Sequence, residues 1–383
     1  MSARSGLSLS YSGANLRDES VQPPSIVIDE LVEEINTVTA GKLRAQDLTV
    51  RHPLQPFSRR YFEGNSRLFS YSKELIPGGD ASPAARPLLA QSLPPPPPGE
   101  LAIEDLLNFF ANPARALLRG QLGVSLESGD GLFAIREPMW PDYRALRDLS
   151  RSAVNAQLVG EDQDIFKQRL RLGGALAAGH AGDIVIERAW ARAAEVAKRV
   201  SEMTENQPAE TLPIECEIGH WRLSGTLSYS SQYGHVRWFV ADLNPWELID
   251  AWLAHLLLNT VPALSVRESV LIGPTGVSRF EPVDQALELL AGLINFYQQG
   301  LSRPLPFFPR SAYTFVTKQT SPLKYAYETW LGSEFNPARP EADDPYFALT
   351  FRDTLETALD EEFQSIAQAV YAPALASLTG AKP

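Results

Sequence analysis

The sequence predicts an α+β chain of the broad α/β class, with many helices around a small mixed sheet. Three observations point that way. A run of alternating residues, GTLSYSS, is followed by a turn and a second run, HVRWFVADL, and then by the helix-like WELIDAWLAHLLLN. Period-two alternation followed by a long apolar segment reads as two strands and a crossover helix. Amphipathic segments flank this centre on both sides, and five consecutive prolines, Pro94 to Pro98, separate it from what comes before.

From the N-terminus, Leu7, Leu9 and Tyr11 alternate with serines as in a half-buried strand. PPSIVIDELVEEIN then predicts a helix capped by Ser25, with Val27, Ile28, Leu31, Val32 and Ile35 on one face. One strand and one helix bury each other poorly, so residues 1–76 read as the remnant of a larger α/β domain. Residues 77–99 form a Pro-rich linker, because a proline run fixes a stiff polyproline II spacer. Residues 100–383 then form the main domain. LAIEDLLNFF predicts a helix stopped by Asn112 and Pro113, which together start the next one, ending near Gly123. Further helices are expected at 144–156, 165–172, 184–203, 283–300 and 321–331. A last one through LETALDEEFQSIAQAV should place Leu355, Leu359, Phe363, Ile366 and Val370 on one face and stop before Pro373.

Composition narrows the chemistry. With 44% hydrophobic and 21% charged residues the chain is a normal globular sequence. No apolar run approaches the ~20 residues of a membrane span, and no signal-peptide core follows the basic N-terminal residues, so a cytoplasmic location is expected. The single cysteine, Cys216, excludes an internal disulfide and a multi-thiolate metal site, and reads as structural. GPTG at 273–276 lacks the lysine and hydroxyl of a phosphate loop, and neither GxSxG nor HExxH occurs. The five histidines share no metal-ligand spacing, and His255 in a leucine-rich helix reads as a core residue. Trp221, Trp238, Trp246 and Trp252 read as core packing rather than stacking platforms. No metal or other cofactor is expected in this chain.

Charge is unevenly placed. The net charge is −12, yet Glu341 to Glu362 holds eight acidic residues against Arg352 alone, which is −7. Elsewhere arginines cluster at Arg51, Arg59, Arg60 and Arg67, at Arg115 and Arg119, at Arg144, Arg147 and Arg151, and at Arg169 and Arg171. Of these, Arg59, Arg60, Arg115 and Arg119 are the candidate phosphate contacts.

The strand–strand–helix centre has the shape of metal-dependent nucleases, which set two carboxylates and a lysine on the paired strands to hold a divalent ion and activate water. Here those positions carry Ser228, Ser231 and Asn244, and no lysine occurs between Lys198 and Lys318.

The strings SARSGLSLSYSG, PPSIVIDELVEEI, FFANPARALLRGQLGV, AAGHAGDIVIERAW, WELIDAWLAHLLL, RPLPFFPRSAY and DPYFALTFRD, in this order, resemble the C-terminal third of the RecC family, the gamma subunits of exodeoxyribonuclease V. The resemblance implies a degenerate PD-(D/E)XK, restriction-endonuclease-like domain without an active site, preceded by the tail of a helicase-like domain. It places NPAR at Asn112 to Arg115, where cluster-bearing relatives carry cysteine at the Asn112 position. It places Asp183 at a metal-ligating histidine, Ser228 and Ser231 at the two lost acids, and Asp242 and Asn244 at the D-x-K motif. The partners it implies are the RecB and RecD motor subunits, to which ATP and magnesium belong, and duplex ends or forked DNA. A hairpin in this family is thought to split the duplex, and the turn Ser230, Ser231, Gln232, Tyr233, Gly234 is one candidate tip. The leading expectation is therefore a non-catalytic scaffold that guides and splits DNA strands within RecBCD during double-strand break repair. Two rivals stand beside it: a divergent nuclease using Asp183, Asp242 and an acid such as Glu187, and a protein-docking module whose acidic C-terminal segment binds a motor.

Overall fold

The computed structural model describes residues 6–14, 20–72, 88–89, 91–126, 140–174, 176–207, 209–333 and 338–380, and the chain divides into two units, Met1–Ala85 and Arg86–Pro383. In the first unit two helices are described, α1 (Ile26–Val38) and the single turn α2 (Ala45–Leu48). The strand expected from Leu7, Leu9 and Tyr11 does not form: these side chains are 53%, 53% and 45% exposed. Their alternation has no sheet to join, since the unit's described pairing is one bridge between Ala14 and Val21. On α1 the apolar face Ile28, Leu31, Val32 and Ile35 is half-exposed, Val27 is exposed, and the Ser25 side chain makes no cap bond. Among the described residues of this unit, Leu68 is the one buried hydrophobic side chain.

The second unit begins with β1 (Glu100–Ala102), α3 (Ile103–Ala111) and α4 (Pro113–Ala116), which continues as a π-turn over Leu117–Gln121. Then come α5 (Tyr143–Leu158), α6 (Gln163–Gly173), α7 (His180–Thr204), β2 (Glu210–Ile218), β3 (Trp221–Ser230), β4 (Gly234–Trp238), α8 (Pro245–Asn259), β5 (Ser269–Ile272) and β6 (Val277–Phe280). The chain closes with α9 (Ala286–Ser302), α10 (Pro309–Thr317), α11 (Pro322–Leu331), α12 (Pro345–Thr350), α13 (Glu361–Ser377) and β7 (Leu378–Gly380). The linker assigned to residues 77–99 falls partly outside the described residues. Its described end is tied down, by Leu93 N donating to Ser302 O at 2.7 Å and Arg222 N donating to Gly99 O at 2.9 Å.

The seven described strands make one mixed sheet in the order β1-β3-β4-β5-β6-β7, with β2 paired to β3. β2 runs antiparallel along all of β3, so β1, at Arg222 to Ser224, and β4, at Tyr229 and Ser230, share the other edge of β3. α8 then crosses over and brings β5 back parallel to β4. Side-chain alternation splits the packing between the two faces. Leu223, Leu227, Tyr229 and Leu271 face a core built with α3, α8, α9 and the C-terminal helices. Val236, Trp238, Val270 and Ile272 face a second core under α5 and α7. Helix α8 is apolar all round because it is buried all round: Leu248, Ile249 and every residue from Ala251 to Asn259 are buried. Gly225 admits this closeness, since a Cβ there would meet Leu257 Cδ2 at 2.6 Å and Ile103 Cγ2 at 2.8 Å.

Two expectations from the sequence need correction at the C-terminus. Leu355 and Leu359 do not belong to the last helix, which starts at Glu361 because the Asp360 carboxylate accepts from Phe363 N at 2.9 Å. Nor does that helix stop before Pro373. It runs on to Ser377, because Val370, Tyr371 and Ala374 continue its buried face across the proline. Burial of that size, about 1.5–3 kcal/mol for a large side chain, competes with the ~3 kcal/mol cost of an interior proline.

Candidate functional site

Seen on the sheet, the positions that the sequence compares with nuclease acids are separate. Ser228 lies on the exposed face of β3, the same face that α5 and α7 cover further along, and Ser231 is exposed in the turn after it. The register pairs Tyr229 with His235. Asp242 lies beyond the end of β4, exposed, and is not set across from Ser228. Asn244 has a local duty: its Oδ1 accepts from Glu247 N at 2.9 Å, making it the N-cap of α8 in a capping box with Glu247. Asp183 stands in the first turn of α7, where the Arg171 guanidinium donates to both its oxygens at 2.7 Å and Lys167 Nζ lies 3.4 Å away. Arg171 foremost, with Lys167, holds the Asp183 carboxyl below its ordinary range. Lys167 also takes Glu187 Oε1 at 2.9 Å.

Two further acids, not singled out in the sequence, are answered by arginine in the same way. Glu247, 2% exposed, is ion-paired with Arg147 and lies 3.4 Å from Arg151. Asp250, one turn along α8, is ion-paired with Arg237 of β4. Burial pushes Asp250 up, against the pull of Arg237. Burial, then the neighbouring Arg151, pushes Arg147 down. The rival nuclease reading needs Asp183, Asp242 and Glu187 to converge, and among the described residues no three His, Cys, Asp or Glu side chains approach closely enough to hold a metal ion. Carboxylates already neutralised by fixed cations are also poor ligands for a divalent ion.

The candidate hairpin tip is held against its neighbours. Tyr233 Oη donates to Gln207 O at 3.1 Å, Gln232 Nε2 reaches Glu205 Oε2 at 3.4 Å, and Ser265 Oγ donates to Ser231 O at 3.4 Å. Gly234 takes φ +76° with Glu268 O only 2.4 Å from where a Cβ would stand, so the turn must approach that loop through a glycine. Below it, His235 Nδ1 lies 2.7 Å from Ser228 O, and burial lowers this imidazole to about 4. The longest hairpin is the neighbouring one, β2–β3, whose two-residue turn Gly219–His220 is exposed.

The candidate phosphate contacts divide. Arg59 and Arg60 lie exposed in a 3-10 turn of the first unit. Arg115 is half-exposed in α4, without a side-chain partner among the described residues, while Arg119 Nε donates to Tyr346 Oη at 2.6 Å and its guanidinium lies over that ring. Asn112 accounts for NPAR in structural terms. It is buried, accepts from Arg115 N at 2.8 Å to cap α4, and donates to Asp344 Oδ1 at 3.0 Å. Cys216 is half-buried, and burial raises its thiol.

Sequence reasoning missed the buried polar contacts. His255 was expected in the core, but not its lattice: Nδ1 lies 2.9 Å from Ser269 Oγ, Nε2 3.0 Å from Glu281 O, and Asn259 donates to Arg267 O at 3.1 Å. The acidic block stood in the sequence as a candidate docking segment. Glu341 instead is buried and accepts from Arg310 N, Ser311 N and Ser311 Oγ at 2.7–2.9 Å. Asp344 and Asp360 cap α12 and α13, and Glu362, Asp343 and Asp353 pair with Arg303, Arg339 and Arg352. The readable signal was there: Asp344 precedes a proline at N1, and Asp360 precedes two glutamates and an apolar run.

The chain is similar in sequence to known proteins. The family described as RecC C-terminal domain matches residues 98–320, more than half of the chain. The RecBCD enzyme subunit RecC of Escherichia coli strain K12 is 28% identical over 336 residues, covering 81% of this chain and 29% of the relative. That of Mycolicibacterium smegmatis is 25% identical over 339 residues, covering 82% and 30%. A third, from Mycobacterium tuberculosis H37Rv, is 23% identical over 360 residues, so the chain spans about a third or less of the length of these curated relatives. The buried Asn112, the α8 capping box and the mixed sheet thus belong to a member of the RecC C-terminal domain family.

Proposed function

We propose that this chain is a non-catalytic, DNA-guiding part of a RecBCD-type exodeoxyribonuclease V, working with RecB and RecD on duplex ends or forks in double-strand break repair. The observation that carries this is the pairing of three acids around the strand–strand–helix centre with protein cations: Asp183 with Arg171 and Lys167, Glu247 with Arg147, Asp250 with Arg237. The run α7-β2-β3-β4-α8-β5, three antiparallel neighbours and a crossover to a parallel strand, supports descent from a PD-(D/E)XK nuclease core. Residues 1–76 fit part of a helicase-like domain, since among their described residues Leu68 is the one buried hydrophobic side chain, and ATP and magnesium would act on the partner subunits. Among the described residues no helix is long and apolar enough to cross a membrane, which is compatible with a cytoplasmic assembly. The exposed β2–β3 turn is a better candidate than the bonded Ser230–Gly234 turn for meeting a DNA fork.

The test is direct. The purified chain, given single-stranded or end-bearing DNA with magnesium or manganese, should leave it intact, while binding forked DNA with an affinity that falls steeply with salt. Metal-dependent cleavage abolished by Asp242→Ala would refute the reading. Salt-independent binding to the motor subunits with no DNA contact would favour a docking module instead.

A further inference from the structure

One open cleft lies apart from the degenerate nuclease positions. It has a volume of about 460 Å³, within the ~300–1,000 Å³ of small-ligand sites, and is formed by the outer face of α5, the α5–α6 connection and α6. Arg151, Asn155 and Val159 follow one another at four-residue spacing, so they stack along one face of the helix, with Ser152 beside them. Val159 is 80% exposed, an apolar surface with nothing over it among the described residues. The side chains of Ser152 and Asn155 likewise make no hydrogen bond there. Across the cleft Arg169 is held in place by Glu161, at 3.0 and 3.2 Å, and by Phe166, over whose ring its guanidinium lies at 5.2 Å. The bonds to Glu161 consume one acid in the lining. Arg151 shares Glu247 with Arg147, which takes the closer contact, so Arg151 stays 40% exposed with donors to spare.

The cleft thus offers a guanidinium with open donors, a hydroxyl, a carboxamide and an apolar wall, plus one unpaired acid, Asp148. A bare anion would meet that acid unfavourably. A nucleotide would use all of it: phosphate to Arg151, base edge to Asn155 and Ser152, exocyclic amine to Asp148, and base face on Val159. We propose that the α5–α6 cleft is a subsite for one nucleotide of single-stranded DNA. This rests on the DNA-guiding reading above and adds a location to it.

The experiment measures binding of the full chain to a labelled 20-mer of mixed sequence, by fluorescence anisotropy at several salt concentrations. Three variants are compared: Asn155→Ala, Val159→Glu and Arg151→Gln. Both Asn155 and Val159 are exposed, so these changes leave the fold intact, as matching thermal midpoints would confirm. The expected result is about a fivefold loss of affinity for Asn155→Ala and for Val159→Glu, the size of losing one hydrogen-bonded or apolar contact to a base. Arg151→Gln should also flatten the log–log salt slope by about 0.7, the share of one single-strand phosphate. Wild-type binding that all three variants retain unchanged would overturn the cleft while leaving DNA guidance standing. An absence of DNA binding by the wild-type chain at low salt would overturn both.

Discussion

Around the strand–strand–helix centre Asp183, Glu247 and Asp250 face arginines and a lysine, whereas between Glu341 and Glu362 three of the eight acids face helix N-termini or a buried hydroxyl. Each partner of the first group is a cation held on a neighbouring element. The second group looks in the sequence like a docking surface. In the fold Glu341, Asp344 and Asp360 are bonded to the N-termini of α10, α12 and α13, and three others are ion-paired. Among the described residues that leaves Glu356 and Glu361 outside such bonds. Net charge per segment is therefore a poor guide to function when helix starts are nearby, because capping absorbs charge without displaying it.

The contrast can be broken from either side. The largest effect should come from Glu341→Ala, which strands two backbone N–H groups and the Ser311 hydroxyl in the core. A loss of about 4 kcal/mol is expected from urea unfolding, and a loss under 1 would mean the acid is not a structural anchor. Next, Glu247→Leu alone should cost about 3 kcal/mol by leaving Arg147 without its carboxylate, while Arg147→Leu with Glu247→Leu should recover most of it. If the double change is no better than the single, the pair does more than neutralise itself.

A third effect is pH-dependent. Burial holds His235 and His255 at about 4 in the folded chain, below the 6.5 of an exposed imidazole. Their folded values are depressed, so the unfolded chain takes up protons first as pH falls. Stability is intact above about pH 6.5 and declines toward pH 4, by roughly 2 kcal/mol per histidine at pH 5. Unfolding midpoints measured from pH 7 to 5 should show this slope, reduced by about one proton in His235→Asn. A flat profile would mean that both rings titrate in the fold as they do in the unfolded chain.

Smaller effects test the lost chemistry itself. Putting back Ser228→Asp, Ser231→Asp and Asn244→Lys together should yield no magnesium-dependent cleavage, since Asp242 is not set across from residue 228. The lysine should instead cost about 1 kcal/mol through the lost α8 cap. Smallest of all, Asp242→Ala should shift stability by less than about 0.5 kcal/mol. A larger shift would give that exposed acid a partner it lacks among the described residues.

Much of this fold was legible because local rules and burial agreed. The Asn112–Pro113 junction, the α8 helix and the strand-turn-strand before it follow from capping, proline placement and alternation. Where they disagreed, burial won: Pro373 stays inside α13, and Leu7, Leu9 and Tyr11 alternate without a strand. The short strands β5, β6 and β7 carry too few residues for a pattern and exist through their neighbours. At the candidate site, the absence of carboxylates at Ser228 and Ser231 and of lysine at Asn244 is a property of the sequence alone, because residue identity limits chemistry whatever the fold. That Asp183, Glu247 and Asp250 are each met by a cation was decided only by the tertiary structure. So was the anchoring of α10 by Glu341, in which a carboxylate joins residues about thirty positions apart. Such partners lie on different elements, and periodicity carries no information about which elements meet.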